Sequence, residues 1–107
     1  MKPVVVATVA RQDIFKAAEW YERQRDGLGQ EFYDRVDEAL SAVESNPQGY
    51  GVAFEGLRRC NLKQFPYSLW FKLREDNSLV VACLAGKRDR RLLKERVLGV
   101  IPRPDPN

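Results

Sequence analysis

Residues 28–47 read LGQEFYDRVDEALSAVESNP, and the spacing of apolar side chains in this stretch decides the fold class. Leu28, Phe32, Val36, Leu40 and Val43 recur three or four residues apart, and Ala39 widens the stripe, so one side of an α-helix is apolar. Asn46-Pro47 ends it, because proline has no N–H to continue the ladder and restricts the residue before it. Just upstream, Ile14, Ala18 and Tyr21 repeat the pattern, with Asp13, Glu19, Glu22 and Arg23 among the polar positions. A first helix is therefore predicted over about residues 10–26, with Asp13 near its start favouring the positive end of the helix dipole. Gly27 and Gly29 break the chain between the two. So short a break makes them an antiparallel hairpin with facing apolar stripes.

Outward from the hairpin the periodicity changes. Val4 to Val9 is a largely β-branched run, suited to a first strand covered on both faces. After a glycine-containing loop, Pro47 to Gly56, Leu57 to Leu62 reads as a short strand. Tyr67, Leu69, Phe71 and Leu73 then alternate with Ser68, Trp70, Lys72 and Arg74, as expected of a strand with one buried face. Glu75 to Ser78 is a polar turn, and the apolar Leu79 to Leu84 suits a strand inside the sheet, closed by Gly86. Asp89 is placed to cap a last helix reaching about Leu98, and Pro102, Pro104 and Pro106 make an extended, mobile tail. The order β-α-α-β-β-β-α implies an α+β fold of two layers, the helical hairpin packed on a small, mainly antiparallel sheet. One domain is expected over 1–107, with its core at about 4–98 and the tail at 99–107.

Composition removes several kinds of chemistry. Histidine is absent, and only Cys60 and Cys83 could offer a thiolate. A structural zinc site lacks its preferred ligands, and no Cys–His or Ser–His–Asp nucleophile can be assembled. Neither metal nor cofactor is expected. Two cysteines in apolar strands read as buried thiols, not a disulfide framework. No apolar run is long enough to span a bilayer and no signal peptide is visible, so the cytoplasm is the expected compartment. The net charge of +3 is unevenly placed: residues 1–50 hold 6 basic and 9 acidic side chains, and residues 51–107 hold 12 and 6. A basic C-terminal half suits nucleic acid or the acidic face of a protein, and equally describes a merely solvated surface.

Several strings, taken in order, resemble the ParE/RelE toxin superfamily, whose members include proteins labelled plasmid stabilisation proteins. They are Asp13-Ile14 with Ala17-Ala18 and Trp20-Tyr21-Glu22, Gly27-Leu28-Gly29 with Phe32, Asn46-Pro47, Leu57-Arg58-Arg59, Phe65-Pro66-Tyr67, and Gly86-Lys87-Arg88-Asp89. The resemblance is closer to the ParE-like branch and covers roughly residues 4–98. It implies the toxin of a type II toxin–antitoxin system, with a cognate antitoxin as partner and a toxin–antitoxin heterotetramer as one assembly. ParE-like members poison DNA gyrase by binding it, whereas RelE-like members cut mRNA at the ribosome.

Without metal or histidine, cutting RNA falls to clustered Lys and Arg helped by a Tyr. Laid on the RelE-like pattern, Arg59 stands for one strand lysine and Arg88 for the arginine after the last strand. Asn61, Ser68 and Lys94 occupy the places of a second lysine, a strand arginine and the C-terminal tyrosine. Ala85 stands where other members carry histidine. Only Arg59 and Arg88 are therefore left as catalytic candidates, with Lys63, Lys87 and Arg90 nearby to supply charge. Growth inhibition by binding needs none of these losses repaired. For contact with target or antitoxin the candidates are Arg58, Arg59, Lys63, Lys87, Arg88, Arg90, Arg91 and Lys94, extended by Arg96; Trp20, Trp70 and the last helix are candidate apolar contacts. A ribosome-dependent mRNA endonuclease and a degenerate member that binds antitoxin without toxicity remain the alternatives.

Overall fold

The computed structural model describes residues 2–86 and 90–100. Its elements are β1 (Val4–Val6), α1 (Thr8–Gln24), α2 (Leu28–Ser45), β2 (Val52–Phe54), β3 (Leu57–Asn61), β4 (Tyr67–Leu73), β5 (Ser78–Ala85) and α3 (Arg90–Val100), with a 3-10 turn at Pro47–Gly49. The strands form one sheet in the order β1-β5-β4-β3-β2, β1 running parallel to β5 and every other pair antiparallel. This is the expected α+β architecture. Among the described residues no helix is long and apolar enough to cross a membrane.

The hairpin covers one face of the sheet. Ile14, Ala17 and Ala18 of α1 and Phe32, Val36, Ala39 and Val43 of α2 pack on Cys60, Leu69, Phe71, Val80 and Cys83. Each large side chain buried here contributes on the order of 1.5–3 kcal/mol. Gly27 takes φ +89°, a left-handed conformation that only glycine adopts freely, and starts α2. Gly29 belongs to α2 and does not end α1; a Cβ there would lie 2.8 Å from the Ala18 carbonyl oxygen, so its missing side chain lets the helices touch. The Glu22 carboxylate accepts the N–H groups of Gly27 (3.0 and 3.1 Å) and Gly29 (2.9 Å). These donors at the head of α2 hold Glu22 below the usual carboxylate range.

Three local expectations are corrected. The first strand stops at Val6, because Ala7 gives its N–H to Val80 (2.9 Å) and its carbonyl to Arg11 N–H (3.0 Å), drawing Thr8 and Val9 into α1. As an edge strand it is not covered on both faces; Val5 is 43% exposed. The glycine-containing loop hides β2, a three-residue strand that pairs with β3 through Val52 and Phe54 and is too short to show a period. β4 is buried on both sides from Ser68 to Phe71, because α3 lies across the second face. There Leu93 and Val97 pack with Leu57, Trp70, Leu79, Val81 and Ala82.

A β-bulge adjusts β5 to both layers. Trp70 pairs with Ala82 and Phe71 with Val80, which leaves Val81 as an extra residue. Val81 and Ala82 therefore both join the α3 side, while Val80 and Cys83 stay under the hairpin. A continuous apolar run serves this strand better than strict alternation.

Candidate functional site

The sheet brings together three residues of the RelE-like pattern, Arg59, Asn61 and Ser68. Arg59 lies opposite Trp70, and Asn61 opposite Ser68, in the β3–β4 ladder. Cross-strand partners share a face, so all four project to the side on which α3 lies. Arg59, Asn61 and Ser68 line a cleft of about 250 Å³, with Tyr67 and Gly86 on its border. Arg59 finds no acidic partner in the hairpin; its guanidinium stacks over Trp70 at 5.6 Å from the ring centroid. Ser68 Oγ donates to Asn61 Oδ1 at 2.6 Å, so the two uncharged replacements satisfy each other. Lys87 and Arg88, with Asp89 and its expected helix cap, lie outside the described residues, as does the proline-containing tail beyond Val100.

The remaining basic candidates divide. Arg58 points to the hairpin side and donates to the Tyr50 carbonyl at 2.5 Å, so neighbouring arginines serve opposite faces. Lys63 is exposed beside α2, in a separate cleft. Arg90, Arg91 and Lys94 are exposed on α3, and Arg90 sits over the Phe54 ring at 5.1 Å. Trp70 is 4% exposed and belongs to the core; Trp20, at 50%, is available at the surface.

Arg96 is corrected most sharply, because it faces inward. Its Nη1 and Nη2 reach Asp13 Oδ2 and Oδ1, both at 2.9 Å, and Nη1 also reaches the Val81 carbonyl at 2.9 Å. Asp13 Oδ2 additionally accepts the Cys83 N–H at 3.0 Å. Asp13 is thus the sixth residue of α1 and serves β5 and α3, not the helix dipole. The physical reason lies in the sheet edge. β1 accompanies β5 only to Val80, so past that point the polar groups of the strand need other partners, and this ion pair supplies them. The carboxylate raises the Arg96 pKa.

Beside that ion pair runs an open groove of about 490 Å³. Lys16, Trp20 and Tyr21 of α1 form one wall, and Tyr67 with Cys83 to Ala85 the other. Trp20 meets Tyr21 edge-on at 5.1 Å, and Tyr21 meets Phe65 at 4.7 Å, so the groove rests on a fixed aromatic cluster. Burial pushes the Cys83 thiol up to about 12, with the Asp13 charge adding to it, and leaves it protonated. Among the described residues no three His, Cys, Asp or Glu side chains come together as a metal cage requires. Of this groove the sequence offers Trp20 as an apolar contact but not the ion pair, although Asp13 lies on the apolar stripe of α1, where a carboxylate demands a partner.

A scan of family models finds no match, and neither does a search of curated proteins. Among solved structures the chain is similar to one described as "Chromosomal ParDE TA system from P. aeruginosa", with a TM-score of 0.62 and 16% identity. The likeness covers 81% of this chain and 98% of that one. At that identity it is the backbone that is shared: the hairpin-on-sheet architecture derived above is a ParDE-like fold.

Proposed function

We propose that this chain is the toxin of a type II toxin–antitoxin pair, acting in the cytoplasm by gripping a macromolecule and not by cutting RNA. The observation that carries this reading is the Ser68–Asn61 hydrogen bond. Where a metal-free ribonuclease needs free cations around the scissile phosphate, two neutral side chains close on each other and Arg59 is stacked on an indole. Arg90, Arg91 and Lys94 offer instead an exposed cationic helix face suited to an anionic surface. By the resemblance, DNA gyrase is the target.

The neutralising partner in this proposal is a small acidic antitoxin. An extended segment of it would lie in the groove beside Trp20, against the end of β5 that β1 leaves uncovered. A toxin–antitoxin heterotetramer is the corresponding assembly. The test is to induce the chain alone in cells and follow growth, plasmid supercoiling and transcript integrity together. Arrested growth with gyrase poisoning, relieved by co-expressing the neighbouring open reading frame, is expected. Rapid transcript cleavage at ribosomes would overturn it in favour of the nuclease, and unimpaired growth in favour of a degenerate antitoxin binder.

A further inference from the structure

β5 outruns its neighbour: β1 leaves it at Val80, and the strand continues to Ala85. On the side so uncovered, Arg96 takes the Val81 carbonyl and Asp13 the Cys83 N–H. In a strand the N–H and C=O of one residue point the same way, and successive residues point to opposite sides. Cys83 gives its N–H away from β4, so its carbonyl and both backbone groups of Ala85 face the same way. The opposite strand agrees. Tyr67, level with Ala85, turns its carbonyl to the Leu62 N–H (2.9 Å), and Gly86 donates to the Pro66 carbonyl (2.9 Å). A carbonyl, an N–H and a second carbonyl are thus presented to the groove beside Trp20, as an added strand requires.

The chain itself supplies a matching segment. α3 is docked through Arg96 beside Val81 and ends at Val100, where the sequence goes on as Ile101-Pro102-Arg103-Pro104-Asp105-Pro106-Asn107. Five extended residues span about 16 Å, against roughly 13 Å for the four steps of β5 from Val81 to Ala85. Proline at every second position removes the N–H groups from one side of an extended chain and leaves those of Arg103, Asp105 and Asn107 on the other. Such a segment can pair along one edge and offers no donors to a further strand. The prolines also hold the residues before them extended. With Arg103 or Asp105 level with Leu84, the flanking prolines come level with Cys83 and Ala85, on the face of Tyr67. That is the aromatic side of the groove, with Trp20 and Tyr21 as its wall, a surface suited to proline rings.

We propose that residues 102–106 add to β5 as a short strand in the track that β1 vacates, parallel to β5, and cap this edge in the free chain. A tail N–H donates to the Cys83 carbonyl, the Ala85 N–H donates to a tail carbonyl, and the prolines pack on the aromatic wall. If the groove receives an antitoxin, as proposed above, the tail is what that antitoxin displaces. This consequence rests on the toxin reading; the docking does not.

The test is amide hydrogen exchange by NMR on the full chain, with the Phe71 amide as reference for global opening. Ala85 N–H is expected to be protected, with contacts between proline protons and the Trp20 or Tyr67 ring. Arg103→Pro combined with Asp105→Pro removes the two tail donors and should speed Ala85 exchange about tenfold, the loss of one hydrogen bond, with Phe71 unchanged. Arg103→Ser with Asp105→Ser keeps the donors and should leave the protection intact. Ala85 exchanging as an open amide, or protection that survives the double proline variant, would overturn the docking. So would protection lost equally in the double serine variant, which would assign the contact to side-chain charge. Protection that grows with protein concentration would give the edge to a second copy instead.

Discussion

Replacing Asp13 by alanine removes a carboxylate that holds three elements together. It accepts two hydrogen bonds from Arg96 and one from Cys83 N–H, and the two side chains of the ion pair are only 16% and 14% exposed. The loss therefore strands a largely buried guanidinium and an edge N–H at once. Breaking one partner of a buried pair costs about 3–5 kcal/mol. Arg96 keeps the Val81 carbonyl, which argues for the lower end, about 3 kcal/mol. Urea denaturation followed by far-UV circular dichroism measures it, as a midpoint lowered at constant slope. The pair's own share comes from a double-mutant cycle. Arg96→Met keeps the stem against α3's apolar neighbours, and the combined variant should recover on the order of 1–2 kcal/mol relative to the sum of the singles. A cycle in which the two losses simply add would refute the idea that the contact, and not the individual side chains, docks α3.

Gly29→Ala places a methyl group 2.8 Å from a backbone oxygen of α1, so the hairpin must open despite alanine's better helix propensity; a loss of about 1–3 kcal/mol is expected, and an unchanged melting temperature would contradict the close approach. Glu22 has its folded-state pKa lowered by the N–H groups of Gly27 and Gly29. Its contribution is fully present above the ordinary value of 4.5 and fades as pH falls through the folded value, so Glu22→Gln should flatten the acid limb of a stability–pH curve while wild type keeps its slope. Cys83 is 1% exposed with its pKa near 12, and Cys60 is 4% exposed and raised by burial. Neither thiol should react with an aromatic disulfide reagent at pH 8 in the native protein, and both should react in denaturant; one equivalent of fast native reaction would show that the hairpin does not seal the sheet.

What the sequence disclosed follows from where periodicity is long enough to read. α2 has five apolar residues at helical spacing and β4 an apolar residue at every second position, so both elements were legible, whereas the burial of β4 on both faces was not. β2 was not, because three residues, of which Val52 and Phe54 pair across a register slip, carry no period. The start of α1 was misjudged because Thr8 and Val9 favour strands locally, yet their hydrogen bonds are decided by the turn at Ala7. At the candidate site the failure was different. Charge alone cannot tell an arginine that faces water from one that faces in. Arg96 falls on the Leu93–Val97 side of α3 and Asp13 on the Ala10–Ile14–Ala17 side of α1. Opposite charges on two apolar stripes were the available signal, and reading each helix singly hid it.

The Asp13–Arg96 pair also bears on how the chain would bind a partner. Asp13 belongs to the groove beside Trp20, and through Arg96 it fixes the helix that carries Arg90, Arg91 and Lys94. Three exposed cations on a short helix are worth little to a ligand if the helix must first be ordered, since that ordering is subtracted from the binding energy. Docked by a largely buried ion pair and by Leu93, the helix presents its charges already in place. On the proposed reading, cations held in place on one face serve recognition of an anionic surface. RNA cutting in the cleft behind them would, on the same reading, ask for Arg59 free of Trp70 and for Asn61 and Ser68 free of one another.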